Sequence, residues 1–235
     1  MPIAYRAVLF DFFGTLTQAV RRGPAHDLIA RRLGCHPQAF TRALDETFLL
    51  RSTGGLGDAA TALGVVARMA GGDPCAHTLR DVLADRIAAV SADTRLRPEA
   101  AQVLELLHRF GFATAVISDC GPELPAMMPA MRIAPYVDTC VFSVEIGARK
   151  PDPIMYLTAC ERLGVRPDEC LYVGDGGSHE LSGADAVGMS AIRLDAPDLH
   201  GHLAFDVDIG WSGPRIDCLT DVFDALSRRL AVTAR

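Results

Sequence analysis

The sequence predicts an α/β protein: a parallel sheet core with an all-helical segment inserted after the first strand. Three observations carry this. From residue 98 onward, short apolar runs alternate with segments of helical spacing, the signature of strand–helix–strand units with right-handed crossovers. Residues 17–92 show helical spacing and no strand-like run. The chain has 235 residues, 49% hydrophobic and 22% charged, which excludes disorder and suits one large buried core with a smaller insertion.

The elements follow in order. Ala7-Val8-Leu9-Phe10 is bounded by Asp11 and Gly14 and reads as a buried strand that ends in a functional loop. In the insertion, apolar residues recur at helical spacing in Leu28, Ile29, Leu33, then Phe40, Leu44, Phe48, then Leu79, Val82, Leu83, Ile87, Val90. The breaks at Gly34-Cys35-His36-Pro37, Gly54-Gly55-Leu56-Gly57 and Gly71-Gly72-Asp73-Pro74 divide it into four expected helices. After residue 97 the expected order is helix 98–110, strand Ala113-Thr114-Ala115-Val116-Ile117, helix 123–131 and strand Cys140-Val141-Phe142. Helix 153–163, strand Cys170-Leu171-Tyr172-Val173, helix 181–187, strand Ser190-Ala191-Ile192 and a last helix near 218–230 complete it. The predicted architecture is a Rossmann-like core of residues 1–16 and 93–235, with a helical cap of residues 17–92.

Composition narrows the partners. A net charge of −6 argues against a nucleic-acid coat or a basic membrane-binding face. The seven cysteines form no Cys-x-x-Cys pair and no even framework, so most read as small buried residues in a reducing compartment. The opening Met-Pro-Ile-Ala-Tyr-Arg is charged too soon for a signal peptide, and no uninterrupted apolar run reaches the ~18 residues of a membrane helix. The expectation is a soluble cytoplasmic protein, monomer or homodimer. A second oddity is one lysine, Lys150, beside 22 arginines. Where arginine replaces lysine almost everywhere, the surviving lysine marks a place that a guanidinium does not fit.

Parallel sheets hold ligands beyond the carboxyl ends of their strands. The polar residues at those ends are Asp11, Ser118, Lys150 in the loop after Cys140-Val141-Phe142, and Asp175. A carboxylate can attack phosphorus and form an acyl phosphate. Two carboxylates suit Mg²⁺, a hydroxyl can donate to a phosphoryl oxygen, and a compact ammonium can reach both nucleophile and phosphate.

Four segments together resemble the motifs of the haloacid dehalogenase superfamily, in order and across nearly the whole chain: Asp11-Phe12-Phe13-Gly14-Thr15-Leu16, Ser118-Asp119, Arg149-Lys150-Pro151-Asp152-Pro153, and Gly174-Asp175 with Glu180-Leu181-Ser182-Gly183-Ala184. The resemblance implies Asp11 as nucleophile, with Ser118, Asp119 and Lys150 binding the transferred group and Thr15 supporting the first loop. It also implies Mg²⁺ held by Asp11, Asp175 and the backbone carbonyl of Phe13, with Glu180 beside the ion or reaching it through water. One position departs. Phosphatases of this family carry a second Asp two residues after the nucleophile, as general acid and base, and here it is Phe13. His179, Asp119 and His26 are the candidates to replace it.

An aromatic residue at that position also resembles the metal-independent 2-haloacid dehalogenases, whose Asp attacks carbon and expels halide without a proton. Those enzymes have uncharged residues where this chain keeps Asp175. The phosphonatase branch needs a cap lysine, and residues 17–92 contain none. The expected activity is Mg²⁺-dependent hydrolysis of a small phosphorylated metabolite. The alternatives are dehalogenation at the same Asp and a ligand-binding member without turnover. Arg21, Arg22 and Arg51 of the insertion are read as solvated, and Met127, Met128 and Met131 as packing.

Overall fold

The computed structural model describes residues 5–200, 202 and 206–233. Six strands form one parallel sheet: β1 (Ala7–Phe10), β2 (Ala113–Ser118), β3 (Thr139–Phe142), β4 (Cys170–Gly174), β5 (Ser190–Leu194) and β6 (Arg215–Ile216). Their spatial order is β3-β2-β1-β4-β5-β6, with Phe10 level with Val116 on one side and Val173 on the other. The chain winds outward from β1 in both directions, so the crevice between the two halves opens at the end of β1.

The period-two alternation of the strands builds two cores. Val8, Phe10, Val116, Leu171 and Val173 face one cluster, and Ala7, Leu9, Ala115, Ile117 and Tyr172 face the other. Burial on both faces is why these strands read as continuous apolar runs. Helices α6 (Ala100–Arg109), α7 (Glu123–Met127), α8 (Ser143–Ile146), α9 (Pro153–Leu163), α10 (Glu180–Ala186) and α11 (Val222–Thr233) accompany the sheet. The α9 boundaries follow from local chemistry: Asp152 caps its start by accepting from the Ile154 N–H, and Gly164 ends it in the left-handed conformation.

The inserted segment holds α1 (Ala25–Arg32), α2 (Pro37–Glu46), α3 (Phe48–Ser52), α4 (Ala59–Met69) and α5 (Ala76–Asp93). Ile29, Leu33, Phe40, Leu44, Leu63, Val66 and Val82 form a third core of their own. Five helices replace the four expected, because the chain breaks at Thr47 (φ −94°, ψ 0°), which separates α2 from α3. The sequence reading also lacked β6, whose two residues are too few for a periodic signal. Among the described residues no helix is long and apolar enough to cross a membrane.

The insertion leaves and rejoins the sheet side by side. Thr17 bridges Leu96, and the Gln18 N–H donates to the Arg95 carbonyl at 2.8 Å. Arg97, buried below this crossing, donates to the Gly14 and Thr15 carbonyls at 2.8 and 2.9 Å and to Asp198 at 2.7 Å. Asp198 also accepts from the Ala19 N–H at 2.8 Å. One guanidinium thus ties the loop after β1 to the root of the insertion. Arg97→Ala is expected to cost about 2–4 kcal/mol, because two buried carbonyls lose their donors. Urea unfolding checks it, and a change below about 0.5 kcal/mol, as at an ordinary surface site, would contradict this role.

Candidate active site

Asp11 follows β1, its backbone N–H held by the Val173 carbonyl at 2.9 Å. The next turn needs Gly14 at φ +85°: a Cβ there would stand 2.5 Å from Asp175 Oδ2 and 2.7 Å from His202 Nε2. The loop after β1 therefore runs directly against the loop after β4, and the two carboxylates share one space.

Lys150 is the centre of that space. Its ammonium, 3% exposed, donates to Asp11 Oδ1 at 2.5 Å and to Glu180 Oε2 at 2.6 Å. Burial opposes its charge, but Asp11, then Glu180 and Asp119, hold its pKa well above the ordinary lysine value. A branched planar guanidinium has no room between two oxygens this close. Asp119 fixes the lysine from behind, accepting its backbone N–H at 2.9 Å.

Glu180 is fully buried and committed to protein donors. Oε1 accepts from the Gly176 N–H at 2.9 Å, and Oε2 takes Tyr172 Oη at 2.8 Å as well as Lys150. Its own carbonyl accepts from Tyr156 Oη at 2.9 Å. It positions Lys150 and the loop after β4, and still offers an oxygen near those of Asp11 and Asp175: one carboxylate oxygen from each lies within 4.8 Å of the others.

Above these groups lies a cavity of about 160 Å³, between the insertion and the carboxyl ends of the strands. Asp11, Phe13, Asp119, Lys150, Asp175 and Glu180 line its sheet side. Thr15 and Ser118 are fully buried and do not line the cavity. The Phe13 ring lies edge-on to Phe12 at 4.9 Å between centroids, an apolar wall where a proton donor would stand.

The three candidates to replace that donor separate clearly. His179 is half exposed, lies 3.5 Å from Asp208 and does not line the cavity, which corrects its candidacy. His26 reaches the cavity but both ring nitrogens are engaged. Nε2 meets Asp93 at 2.8 Å and Nδ1 meets Arg86 Nη1 at 2.8 Å. Arginine has only donors, so Nδ1 accepts and Nε2 carries the proton of a neutral ring. Burial first, then Arg86, lower the His26 pKa, in agreement with that state. Of the three, Asp119 alone presents a buried carboxylate oxygen on the cavity wall, with the Ser178 hydroxyl beside it.

Sequence reasoning missed His202 and misplaced the arginines. His202 accepts from the Val20 N–H through Nδ1 at 3.0 Å, and its Nε2 lies 3.4 Å from Asp175 Oδ2. No motif surrounds it. Arg21 is exposed as expected, but Arg22 and Arg51 line the cavity with Arg86. Arg51 and Arg86 stand where an apolar stripe would continue: Arg51 after Leu44 and Phe48, Arg86 between Val82 and Ala89. A charged residue in a core slot was the available signal.

Charge decides what the site can hold. Asp11, Asp119, Asp175 and Glu180 surround one ammonium, and the buried Asp11 Oδ2 has no partner among the described residues. Burial raises the carboxyls of Glu180, Asp175 and Asp119, and Asp11 adds to each. Crowded carboxylates with a free oxygen suit a hard divalent cation such as Mg²⁺.

The parallel sheet thus carries a carboxylate, a buried lysine and an acidic cluster together at its switch point. The model of the haloacid dehalogenase-like hydrolases matches residues 5–188, and the chain belongs to that family. Among curated relatives, (S)-2-haloacid dehalogenase 4A of Burkholderia cepacia is 32% identical over 117 residues, 49% of this chain and 50% of that protein. Glyceraldehyde 3-phosphate phosphatase of Methanopyrus kandleri is 34% identical over 98 residues, 41% and 42% of the two chains. The chain spans about half the length or less of these relatives. The solved 2-haloacid dehalogenase of Pseudomonas syringae pv. Tomato shares the fold with a TM-score of 0.68 at 22% identity, covering 95% of this chain and 99% of that one.

Proposed function

We propose that the protein is a Mg²⁺-dependent phosphatase that hydrolyses a small phosphorylated metabolite through an aspartyl-phosphate on Asp11. The observation that carries this reading is the charge surplus at the cavity floor, four carboxylates to one ammonium, with Asp11 Oδ2 unpartnered. Asp11, Asp175 and the Phe13 carbonyl would hold Mg²⁺, with Glu180 adjacent. Bound there, the ion would neutralise the charge of Asp11 and of the phosphoryl oxygens.

The chain's own groups do the rest. Lys150 pins Asp11 Oδ1 and keeps the carboxylate aimed. An Asp11 oxygen bonds to phosphorus, the bond to the leaving oxygen breaks, and that oxygen departs as the anion and takes its proton from solvent. Water then attacks phosphorus and gives up a proton to solvent, the acyl–phosphate bond breaks, and the Asp11 carboxylate returns with inorganic phosphate released. Ser118 ends β2 beside Asp119 but lies behind the cavity wall, so a contact of its hydroxyl with a phosphoryl oxygen would need the wall to open.

Phe13 supplies no proton to the leaving group. Turnover of the chemical step should therefore fall steeply as leaving-group pKa rises, acyl and aryl phosphates being the good substrates. Phe13→Asp should raise hydrolysis of alkyl phosphates by ~10²–10⁴-fold. Steady-state kinetics over a leaving-group series measure both, and a flat dependence would contradict the role given to Phe13.

A second reading has specific support: Phe13 is aromatic, and several relatives are named as 2-haloacid dehalogenases. There Asp11 would attack carbon and expel halide, with no proton needed. Asp119 and Asp175 disfavour it, because they add negative charge beside a carboxylate-bearing substrate and repel it. Hydrolysis of p-nitrophenyl phosphate or acetyl phosphate that stops with EDTA supports the phosphatase. Halide release from 2-chloropropionate without a divalent cation supports the dehalogenase.

A further inference from the structure

The insertion's side of the cavity carries three arginines, and two are neutralised within the protein. Arg22 pairs with Asp45 at 2.5 Å, and Arg86 with Glu123 at 2.8 Å. Arg51, 9% exposed against 8% for Arg86, is also buried but forms no ion pair. Every Asp and Glu of the chain lies among the described residues, so no acidic side chain is left to complete it. Its contacts are neutral: Nε donates to Thr47 Oγ1 at 3.1 Å and Nη2 to the Leu44 carbonyl at 2.7 Å. Of five N–H donors, three remain.

Those contacts hold the fork rigidly, and what it faces is open. Nη1 borders Gly121: a Cβ there would stand 3.6 Å from Nη1 and 2.4 Å from Glu123 Oε2, so any larger residue would crowd this approach. Burial, then the neighbouring Arg86, lower the Arg51 pKa to about 10, which leaves it charged at neutral pH. Glu123, paired with Arg86, and Asp45, paired with Arg22, act on Arg51 only through space, and an anionic ligand in the cavity would give the fork the direct partner it lacks.

We propose that Arg51 binds a carboxylate at the far end of the substrate, so that the molecule hydrolysed at Asp11 is a phosphate monoester of a small hydroxy acid. The phosphoryl half of this inference rests on the phosphatase reading; the carboxylate half rests on Arg51. A planar carboxylate matches the guanidinium fork with two parallel hydrogen bonds. A second phosphate, with nearly twice the charge, would meet the carboxylates of Glu123 and Asp93 on the same wall. Arg51 is thus a specificity-determining residue, set across the cavity from the nucleophile.

The test is calorimetric binding of phosphoglycolate and ethyl phosphate in the presence of Mg²⁺, with Asp11→Asn as background so that neither ligand is consumed. The two ligands differ by the carboxylate, and their ratio of dissociation constants reads Arg51 directly. Phosphoglycolate is expected to bind on the order of 10–100-fold more tightly. Adding Arg51→Met should bring the ratio close to one, and Arg51→Lys should keep part of it. Because the ratio is taken within one protein, partial unfolding of a variant cancels. Equal affinities in the background protein, a ratio unmoved by Arg51→Met, or binding of neither ligand each overturns the proposal. A ratio that depends on Arg51, with no hydrolysis of acetyl phosphate by the wild type, would keep the subsite and sink the phosphatase reading.

Discussion

Asp11→Asn is expected to remove turnover, lowering kcat by on the order of 10⁴-fold or more, while the protein stays folded. The amide is a poor nucleophile and forms no acyl phosphate. The structural part of Asp11 survives, because the bond that fixes the strand end is its backbone N–H to the Val173 carbonyl. Asp11 is also one of four carboxylates around a single ammonium, and neutralising it relieves that crowding. Thermal unfolding should accordingly show a melting temperature no lower than wild type. Loss of fold together with activity would mean that Asp11 is structural.

Lys150 should behave in the opposite way, with activity and stability lost together. Lys150→Met leaves Asp11 and Glu180 buried with no cation between them, a change expected to cost about 3–5 kcal/mol. Lys150→Arg keeps the charge but changes its shape. The ammonium meets oxygens at 2.5 and 2.6 Å with Tyr172 Oη at 3.5 Å, so a guanidinium must displace one of them. Turnover should fall by ~10²–10³-fold, the usual cost of losing one positioned donor. Near-normal turnover in Lys150→Arg would show that one lysine among 22 arginines was an accident of composition. Chemical denaturation and steady-state kinetics of both variants separate the two effects.

The core of the fold was legible because its strands are buried on both faces and its turns carry strong punctuation. Ala7-Val8-Leu9-Phe10 and Cys170-Leu171-Tyr172-Val173 can be little else than central strands, and both lie where expected. Asp11, Lys150 and Asp175 were legible because a parallel sheet brings strand ends to one edge whatever the intervening sequence. What escaped was set by tertiary contact. The break at Thr47 comes inside a continuous apolar period, and β6 forms only because β5 offers it an edge. His202 joins the site through one backbone N–H of Val20, 182 positions away, and nothing local marks it. Arg51 was visible as a charge on an apolar stripe, yet abundance of arginine made a solvated face the plainer reading, and Arg86, on a stripe of its own, was not singled out. Their burial shows that position on the stripe outweighed composition.

The assignment of Asp11 as a phosphoryl acceptor is tested most directly by looking at Asp11 itself. Protein mixed with acetyl phosphate and Mg²⁺, quenched in acid and digested, should yield the Asp11 peptide carrying one phosphoryl group by mass spectrometry. The group should be absent without Mg²⁺ and in Asp11→Asn. Sustained hydrolysis with Asp11 never modified would contradict the account, as would an Asp11 ester of 2-chloropropionate formed without divalent cation.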